Sequence, residues 1–473
     1  MDKQIPLVVD LDGTLISTDV LMEQLFILLK RKPYFILHIL VWFFQGYAKL
    51  KYEITKRVEL SPEILPYKEE VINWVKTQKE AGRKIVLATA AQIENAEIIG
   101  NYIGIFDEII ATTPNYNLRG NNKRLILNQK FGEKNYDYIG DAYIDLNVWK
   151  SARKAILVEP TKDLISRTKQ ITNVEKVFEP KDSKISIFLK SIRVNQWLKN
   201  FLIFVPVILA HHFDLITLLQ LLISFILFSF VSSAVYLLND LYDLEADRKH
   251  PIKKNRPLAS GQMHLSTGLY YSIGFLLVSL TLSYFFLTIS FFYILLLYFI
   301  ANLFYSLYFK YQPIFDIILL SFLYTIRLFA GGFIANVIIS EWLISFSLFF
   351  FTSLAILKRY AEIKIYENTK ISTPNVRGYN LKDTQFLFTS GIASSITSSL
   401  IFILYIQSEK VTKLYTHPQY LIVIAIILIL FLLRTWFNVG KDLKTDNPIE
   451  MVLSDKINYL LLLIVVLIMF LSV

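Results

Sequence analysis

The sequence predicts two parts: a Rossmann-like α/β domain with a helical insertion, then an all-α membrane domain of nine transmembrane helices. Three observations carry this. Residues 1–192 have the mixed composition of a soluble domain, whereas from about residue 195 the chain is mostly apolar runs of roughly 18–22 residues. Short apolar strand signals in the first part end in acids or a hydroxyl, as at the carboxyl edge of an open α/β sheet. The 473 residues are 54% hydrophobic and 15% aromatic, with mean hydropathy +0.45, too apolar for a soluble protein of this length.

Cysteine is absent, which excludes disulfides, a thiol nucleophile and thiolate-bound zinc. The stretch Met1 to Pro6 lacks the basic-then-apolar plan of a secretory signal, so the first part is expected in the cytoplasm. The net charge of +10 is explained by cytoplasmic loops of a membrane protein, and nucleic-acid binding has no support.

In the first part, Leu7 to Val9 reads as a buried strand running into Asp10, Asp12, Gly13 and Thr14. A second strand, Lys84 to Thr89, ends in a hydroxyl, and Lys123 follows a glycine-containing stretch. A third, Tyr136 to Asp141, ends in an acid with Asp145 one turn on. These separated pieces suit one phosphoryl-transfer site, with carboxylates on turns at the sheet's edge.

Residues 15–83 contain an insertion. Its stretch from Leu21 to Tyr47 is strongly apolar, interrupted by Lys30, Arg31 and Lys32 and broken by Pro33, so neither half is long enough to span a bilayer. Two readings stay open: a helical cap packed on itself or on the second domain, or an interfacial hairpin that presents a membrane-bound substrate to Asp10. Residues 159–192, with Pro160 and Pro180, read as a junction whose Lys181 to Lys190 stretch is an amphipathic approach to the membrane.

Asp10-x-Asp12-Gly13-Thr14, Thr89, Lys123 and Gly140-Asp141-(x)3-Asp145 together resemble the haloacid dehalogenase (HAD) superfamily of phosphatases, over residues 1–158. The resemblance implies that Asp10 attacks phosphorus and that Asp12 protonates the leaving oxygen and then activates water. It implies that Thr89 and Lys123 hold phosphoryl oxygens, and that Asp10, Asp12, Asp141 and Asp145 form the Mg²⁺ site.

The second part, residues 193–473, reads as spans at about 196–211, 216–239, 266–286, 289–309, 314–336, 341–358, 385–407, 418–438 and 457–473. With the amino terminus inside, the cytoplasmic segments carry Arg248, Lys249, Lys253, Lys254, Arg256, Lys310, Lys358, Arg359, Lys364, Lys370, Arg377, Lys382, Arg434, Lys441, Lys444 and Lys456. The opposite loops hold only Lys410 and Lys413, so the basic side faces the cytoplasm, as in a bacterial inner (plasma) membrane.

On that side lies an acid cluster. On one helix, Asp240, Asp243 and Asp247 stand at i, i+3 and i+7 and share a face, with Asn239 beside them. Carboxylates without interleaved Cys or His suit a hard ion, Mg²⁺, bound together with substrate phosphates; a solvated helix end is the alternative. Asp316 and Arg327, three turns apart on one face, Lys199 and Asn200, Tyr305, Ser306 and Lys310, and Lys358, Arg359 and Glu362 complete an anion-binding mouth.

Asn239-Asp-x-x-Asp-x-x-x-Asp247 resembles the first aspartate motif of the UbiA superfamily of intramembrane prenyltransferases. Arg193-x-x-Gln196-Trp197-x-Lys199-Asn200, the run from Asp247 to Gly261, and Tyr305-Ser306-x-x-x-Lys310 with Asp316, Arg327 and Gly331 are similar to its decaprenyl-phosphate phosphoribosyltransferase branch. The second aspartate cluster of classical members is missing, since Leu320 stands four positions after Asp316.

The resemblance implies a polyprenyl phosphate acceptor and phosphoribosyl pyrophosphate as donor. Asp240, Asp243 and Asp247 would hold Mg²⁺ on the donor, and Arg248, Lys253 and Arg256 would neutralise its phosphates. Lys199, Lys310 and Arg327 would hold lipid phosphate, with Asn239, Tyr305 and Asp316 completing the site. The expected protein is a bifunctional enzyme in which the first domain removes a phosphate from the lipid-linked product. The alternatives are a prenyltransferase with a prenyl diphosphate donor and an aromatic acceptor, and a transporter; the chain's homo-oligomerisation stays open.

Overall fold

A computed structural model describes residues 5–369, 377–439, 452 and 455–472. The expected cytoplasmic residues Lys370, Lys441 and Lys444, and the first four residues of the chain, lie outside them. The chain divides into two compact units: one built from residues up to Val194 together with Tyr236–Gly274, the other from Asn195–Val235 together with Phe275 onward.

The first unit holds a six-stranded, all-parallel sheet. Its strands are β1 (Leu7–Val9), β2 (Ile85–Gln92), β3 (Glu108–Thr112), β4 (Asp137–Gly140), β5 (Lys154–Val158) and β6 (Asn173–Phe178). Their order is β3-β2-β1-β4-β5-β6, with Val9 paired to both Leu87 and Ile139. Purely parallel strands are buried on both faces, which is why β1 is an apolar run without alternation and every residue of β4 is buried. Two clusters fill the faces, one around Leu7, Val9, Leu87 and Ile139, the other around Val8, Val86, Tyr138 and Trp149. Each such fully buried aliphatic side chain contributes about 1.5–3 kcal/mol relative to exposure.

The order reverses between β1 and β4, so their carboxyl ends flank the crevice where open α/β sheets take ligands. Asp10 follows β1 and Asp141 follows β4 directly. Thr89 does not end its strand as expected. β2 continues to Gln92, with a register shift between Ala88 and Gln92.

Between β1 and β2 run α1 (Val20–Arg31), α2 (Phe35–Phe44), α3 (Tyr47–Thr55) and α4 (Glu69–Glu80). The first three share a small core of Ile27, Leu28, Trp42, Leu50, Ile54 and Val58, so the insertion does pack on itself. The packing consumes only one side of α2. Leu37, Leu40, Val41 and Phe44 stay exposed, Phe44 at 86%.

After β2 come α5 (Ile93–Ile103), α6 (Asn121–Phe131) and α7 (Leu146–Trp149), then α8 (Lys162–Ile171) before β6 and α9 (Lys184–Ser191) after it. The expected junction at 159–192 is thus largely structured. It supplies α8 and the sixth strand, paired Val158 to Phe178. The sequence hid β6 because it lies at the sheet's edge, where Glu175 and Lys176 interrupt the apolar residues.

In the remainder of the chain, a 3-10 segment Val194–Phe204 leads into α10 (Val205–Ala210). The first expected span is therefore not one α-helix; Pro206, in the first turn of α10, lacks the N–H that would carry the ladder through. Then follow α11 (Leu215–Tyr242), α12 (Leu244–Lys249), α13 (Leu265–Phe286), α14 (Ile289–Leu307), α15 (Phe315–Ala335), α16 (Glu341–Thr369), α17 (Thr384–Ile406), α18 (Glu409–Leu414), α19 (Leu421–Val439) and α20 (Lys456–Ser472). Among the described residues seven helices are long and apolar enough to cross a membrane, and eight if the bent pair α9 and Val194–Ala210 counts as one. The ninth expected span is α20, a shorter apolar helix. Lys358 and Arg359 do not close their span; α16 runs past them to Thr369.

Candidate functional site

At the carboxyl edge of the sheet, one oxygen from each of Asp10, Asp141 and Asp145 lies within 4.8 Å of the others. Sequence distance is bridged by the fold: β1 delivers the first, β4 the other two. Gly13 makes the approach possible. Its φ is +75°, and a Cβ there would fall 2.2 Å from an Asp141 oxygen. Lys123, on α6 and 3% exposed, places Nζ 2.9 Å from Asp10 Oδ2. Lys123 also donates to the Tyr138 hydroxyl, and that hydroxyl donates to Asp145 at 3.0 Å.

Burial pushes the Asp141 carboxyl up to about 7, with Asp145 and Asp10 adding to the shift. Burial likewise raises Asp145 to about 6, with Asp10 next. Carboxylates crowded in this way are short of positive charge, and their all-oxygen donor set fits Mg²⁺. Burial, with Asp19 next, raises the Asp12 carboxyl well above its ordinary value. It accepts a hydrogen bond from the Val20 N–H and is not one of the three clustered carboxylates. Thr89 is fully buried, and its Oγ accepts from the Ala91 N–H.

A cavity of about 390 Å³ opens over these groups, lined by Asp10, Asp12, Lys123, Asp141 and Asp145 and by residues of the insertion. Sequence reasoning missed six contributors. Lys51 and Arg119 add cations, Gln92 adds an amide, and His264, Leu265 and Ser266 form part of the wall. Leu265 and Ser266 open α13, a helix apolar enough to cross a membrane, and His264 directly precedes it.

The second acid cluster behaves differently. Asp240 lies in the last turn of α11, the backbone leaves the helical region at Asp243 (φ −93°, ψ 11°), and α12 carries Asp247. The single continuous helix expected for the three acids is thus interrupted. Two backbone bonds, from the Asp243 N–H to Asn239 and from the Asp247 N–H to Asp243, bridge the break. The three carboxylates do not gather as those around Asp10 do. Arg256 Nη1 instead bridges Asp240 at 3.0 Å and Asp247 at 2.6 Å, and Arg193 pairs with Asp240. Arg193 stands 47 positions from its partner, so no local pattern pointed to the pair.

Arg248, expected at a donor phosphate, is committed elsewhere. Its guanidinium forms a buried two-point pair with Glu23 of α1, at 2.5 and 3.0 Å, and Nε donates to the Ala259 carbonyl. Glu23 also accepts from the Thr18 hydroxyl. Asn239 is half-buried beside Asp240, and Lys253 opens the turn after α12.

In the second unit the expected mouth residues fall into two networks. Arg327 donates to Asn200 at 2.8 Å and to the Tyr298 hydroxyl at 3.1 Å, and Lys199 sits over the Tyr324 ring. Asp316 does not meet Arg327. It accepts from Arg359 and from the Tyr379 hydroxyl, while Arg359 also reaches Glu362 and Tyr305. Lys310 is buried near the Tyr311 ring. Serines on α11 bond the Arg327 network and its neighbour: Ser229 bonds Asn200, Ser232 bonds Tyr298 and Ser233 bonds Trp197. Small polar residues at a helix interface let backbones approach and bond across it.

The fold and the apolar helices define a multi-pass membrane protein with an α/β domain. The chain belongs to the UbiA prenyltransferase family, whose pattern matches residues 201–454. It is 32% identical over 461 residues to the uncharacterized protein y4nM of Sinorhizobium fredii, covering 97% of this chain and 89% of that one. It is 29% identical over 245 residues to the decaprenyl-phosphate phosphoribosyltransferase of Corynebacterium glutamicum, covering 50% of this chain and 74% of that one. A UbiA homolog from Archaeoglobus fulgidus bound to DMAPP and Mg2+ superposes with a TM-score of 0.45 at 19% identity, over 60% of this chain and 98% of that one.

Proposed function

We propose that the membrane domain transfers 5-phosphoribose from phosphoribosyl pyrophosphate to a polyprenyl phosphate, and that the amino-terminal HAD-like domain removes the 5-phosphate from the lipid-linked product. Both steps take place on the cytoplasmic side of a plasma membrane. In the first, an oxygen of the lipid phosphate forms a bond to the anomeric carbon as the bond to pyrophosphate breaks. Asp240, Asp243 and Asp247 hold the donor's Mg²⁺, and Arg256 stands ready to exchange carboxylate for phosphate. Lys199, Lys253 and Lys310 face the phosphates, while Arg248 and Arg327 position the residues that do so.

In the second step Asp10 attacks phosphorus, and Asp12 gives its proton to the departing ribose oxygen. Water activated by Asp12 then releases phosphate. Mg²⁺ bound by Asp10, Asp141 and Asp145 supplies charge neutralisation to the phosphoryl oxygens. Lys123 neutralises them from the other side.

The observation that carries the coupled reading is the cavity wall. Asp10, Lys123 and the first turn of the membrane helix α13 line one space, which favours a phosphate attached to a lipid. The exposed apolar face of α2 is the surface this reading sets against the bilayer.

Labelled phosphoribosyl pyrophosphate supplied to membranes containing the protein tests the transfer: label enters the lipid fraction, and its absence there sinks the reading. Asp10→Asn then makes the phosphorylated lipid accumulate, whereas Asp243→Ala removes both products. An unchanged lipid profile in Asp10→Asn assigns the phosphatase to another substrate.

A further inference from the structure

Three side-chain amides line the Asp10 cavity: Gln24, Asn95 and Gln92. Two of them satisfy each other. Gln24 Nε2 donates to Asn95 Oδ1 at 3.1 Å, Asn95 Nδ2 returns a bond to Gln24 Oε1 at 2.9 Å, and the Thr55 hydroxyl completes the set. Gln92 is the exception. It is 1% exposed, yet among the described residues neither its Nε2 nor its Oε1 has a partner. A buried amide without partners costs about 1–3 kcal/mol for each unmet group, so such groups are rare unless something else meets them.

The position of Gln92 says what that is. It ends β2, three residues beyond Thr89, at the same sheet edge that carries Asp10. The cavity's roughly 390 Å³ is more than a phosphoryl group needs. An amide offers one donor and one acceptor side by side, which matches a hydroxyl pair, since each hydroxyl both gives and takes a hydrogen bond. Lys51 and Arg119 line the same space and supply positive charge beyond that of Lys123.

We infer that Gln92 is a specificity-determining residue that reads the hydroxyls of a sugar phosphate whose phosphoryl group lies at Asp10, with Lys51 and Arg119 facing a second anionic group of that substrate. The inference rests on the phosphatase reading of the cavity and adds the residue that selects a polyhydroxylated phosphomonoester there. A site built to bond a hydroxyl discriminates strongly against analogues that lack it, because its own polar groups are then left unmet.

The test is a pair of titrations on the full chain in detergent with Mg²⁺, carrying Asp10→Asn to prevent turnover. Ribose 5-phosphate and inorganic phosphate are titrated with and without Gln92→Leu. Ribose 5-phosphate binds more tightly than phosphate, and Gln92→Leu weakens it by about 10- to 100-fold more than it weakens phosphate. The ligand-free Gln92→Leu chain also unfolds at the same or a higher temperature, because an unmet amide has been removed. Equal weakening of both ligands with a lowered unfolding temperature assigns Gln92 a structural role and overturns the inference, as does no change in either ligand. Release of p-nitrophenol from p-nitrophenyl phosphate by the wild-type chain judges the phosphatase reading separately: its absence sinks that reading, while the titrations still judge Gln92.

Discussion

The molecule carries two groups of aspartates that look alike in sequence and are held in opposite ways. Around Asp10, carboxylates from two strands converge until their oxygens are within 4.8 Å, with Lys123 as the adjacent cation. Around Asp240, carboxylates close in sequence are paired with arginines, Arg256 bridging two of them and Arg193 taking one. In the first group burial, and then the neighbouring carboxylates, raise Asp141 and Asp145; in the second, arginines of the chain itself meet Asp240 and Asp247. Asp247 is still raised by its burial, but Arg256 works against that shift. An acid cluster is therefore defined less by its spacing than by the cations the fold brings to it.

The largest expected effect breaks the first group alone. Asp10→Asn lowers phosphate release by about 10⁴-fold or more, as loss of a nucleophile does. Label from the donor still enters lipid, which separates the two groups in one lipid-extraction assay. Lys123→Met comes next. Removing a cation fixed near the phosphoryl oxygens lowers phosphate release by about 10²- to 10³-fold, measured as kcat with p-nitrophenyl phosphate.

Glu23→Gln sharpens the comparison from the other side, because it leaves Arg248 buried without its carboxylate. Breaking one partner of a buried pair costs about 3–5 kcal/mol, seen as a lower unfolding temperature in detergent. Replacing both partners, Glu23→Met with Arg248→Met, restores most of that stability. Transferase activity retained by the double variant makes Arg248 a positioning residue; activity lost at restored stability returns it to the substrate. The smallest effect touches neither group. Gly331→Ala sets a Cβ 1.9 Å from the Ile203 carbonyl oxygen and costs about 1–3 kcal/mol in thermal unfolding, with both activities reduced only through stability.

Much of the fold was legible because its signals are local. β1 is a short apolar run ending just before Asp10 and β4 ends just before Asp141, and α11, α13, α14, α15, α17 and α19 follow the expected spans within a few residues, whereas α16 overruns its expected end. β6 was not legible, since an edge strand needs only one buried neighbour and its charges mask the pattern. The break in the first expected span came from Pro206, visible in the sequence and overridden there by hydropathy.

The acids, lysines and glycines that this chain brings to its chemistry are determined by the sequence alone, because residue type and proximity to a strand or helix end are written in it. Tertiary structure alone decided their partners. Arg193 with Asp240, Glu23 with Arg248, and Arg359 with Asp316 join positions 47, 225 and 43 residues apart. Electrostatic energy depends on distance in space, and buried charge must be met by whatever the fold places beside it. That is also why Gln92, a residue of no evident pattern, emerged only when its neighbours were found to leave it unmet.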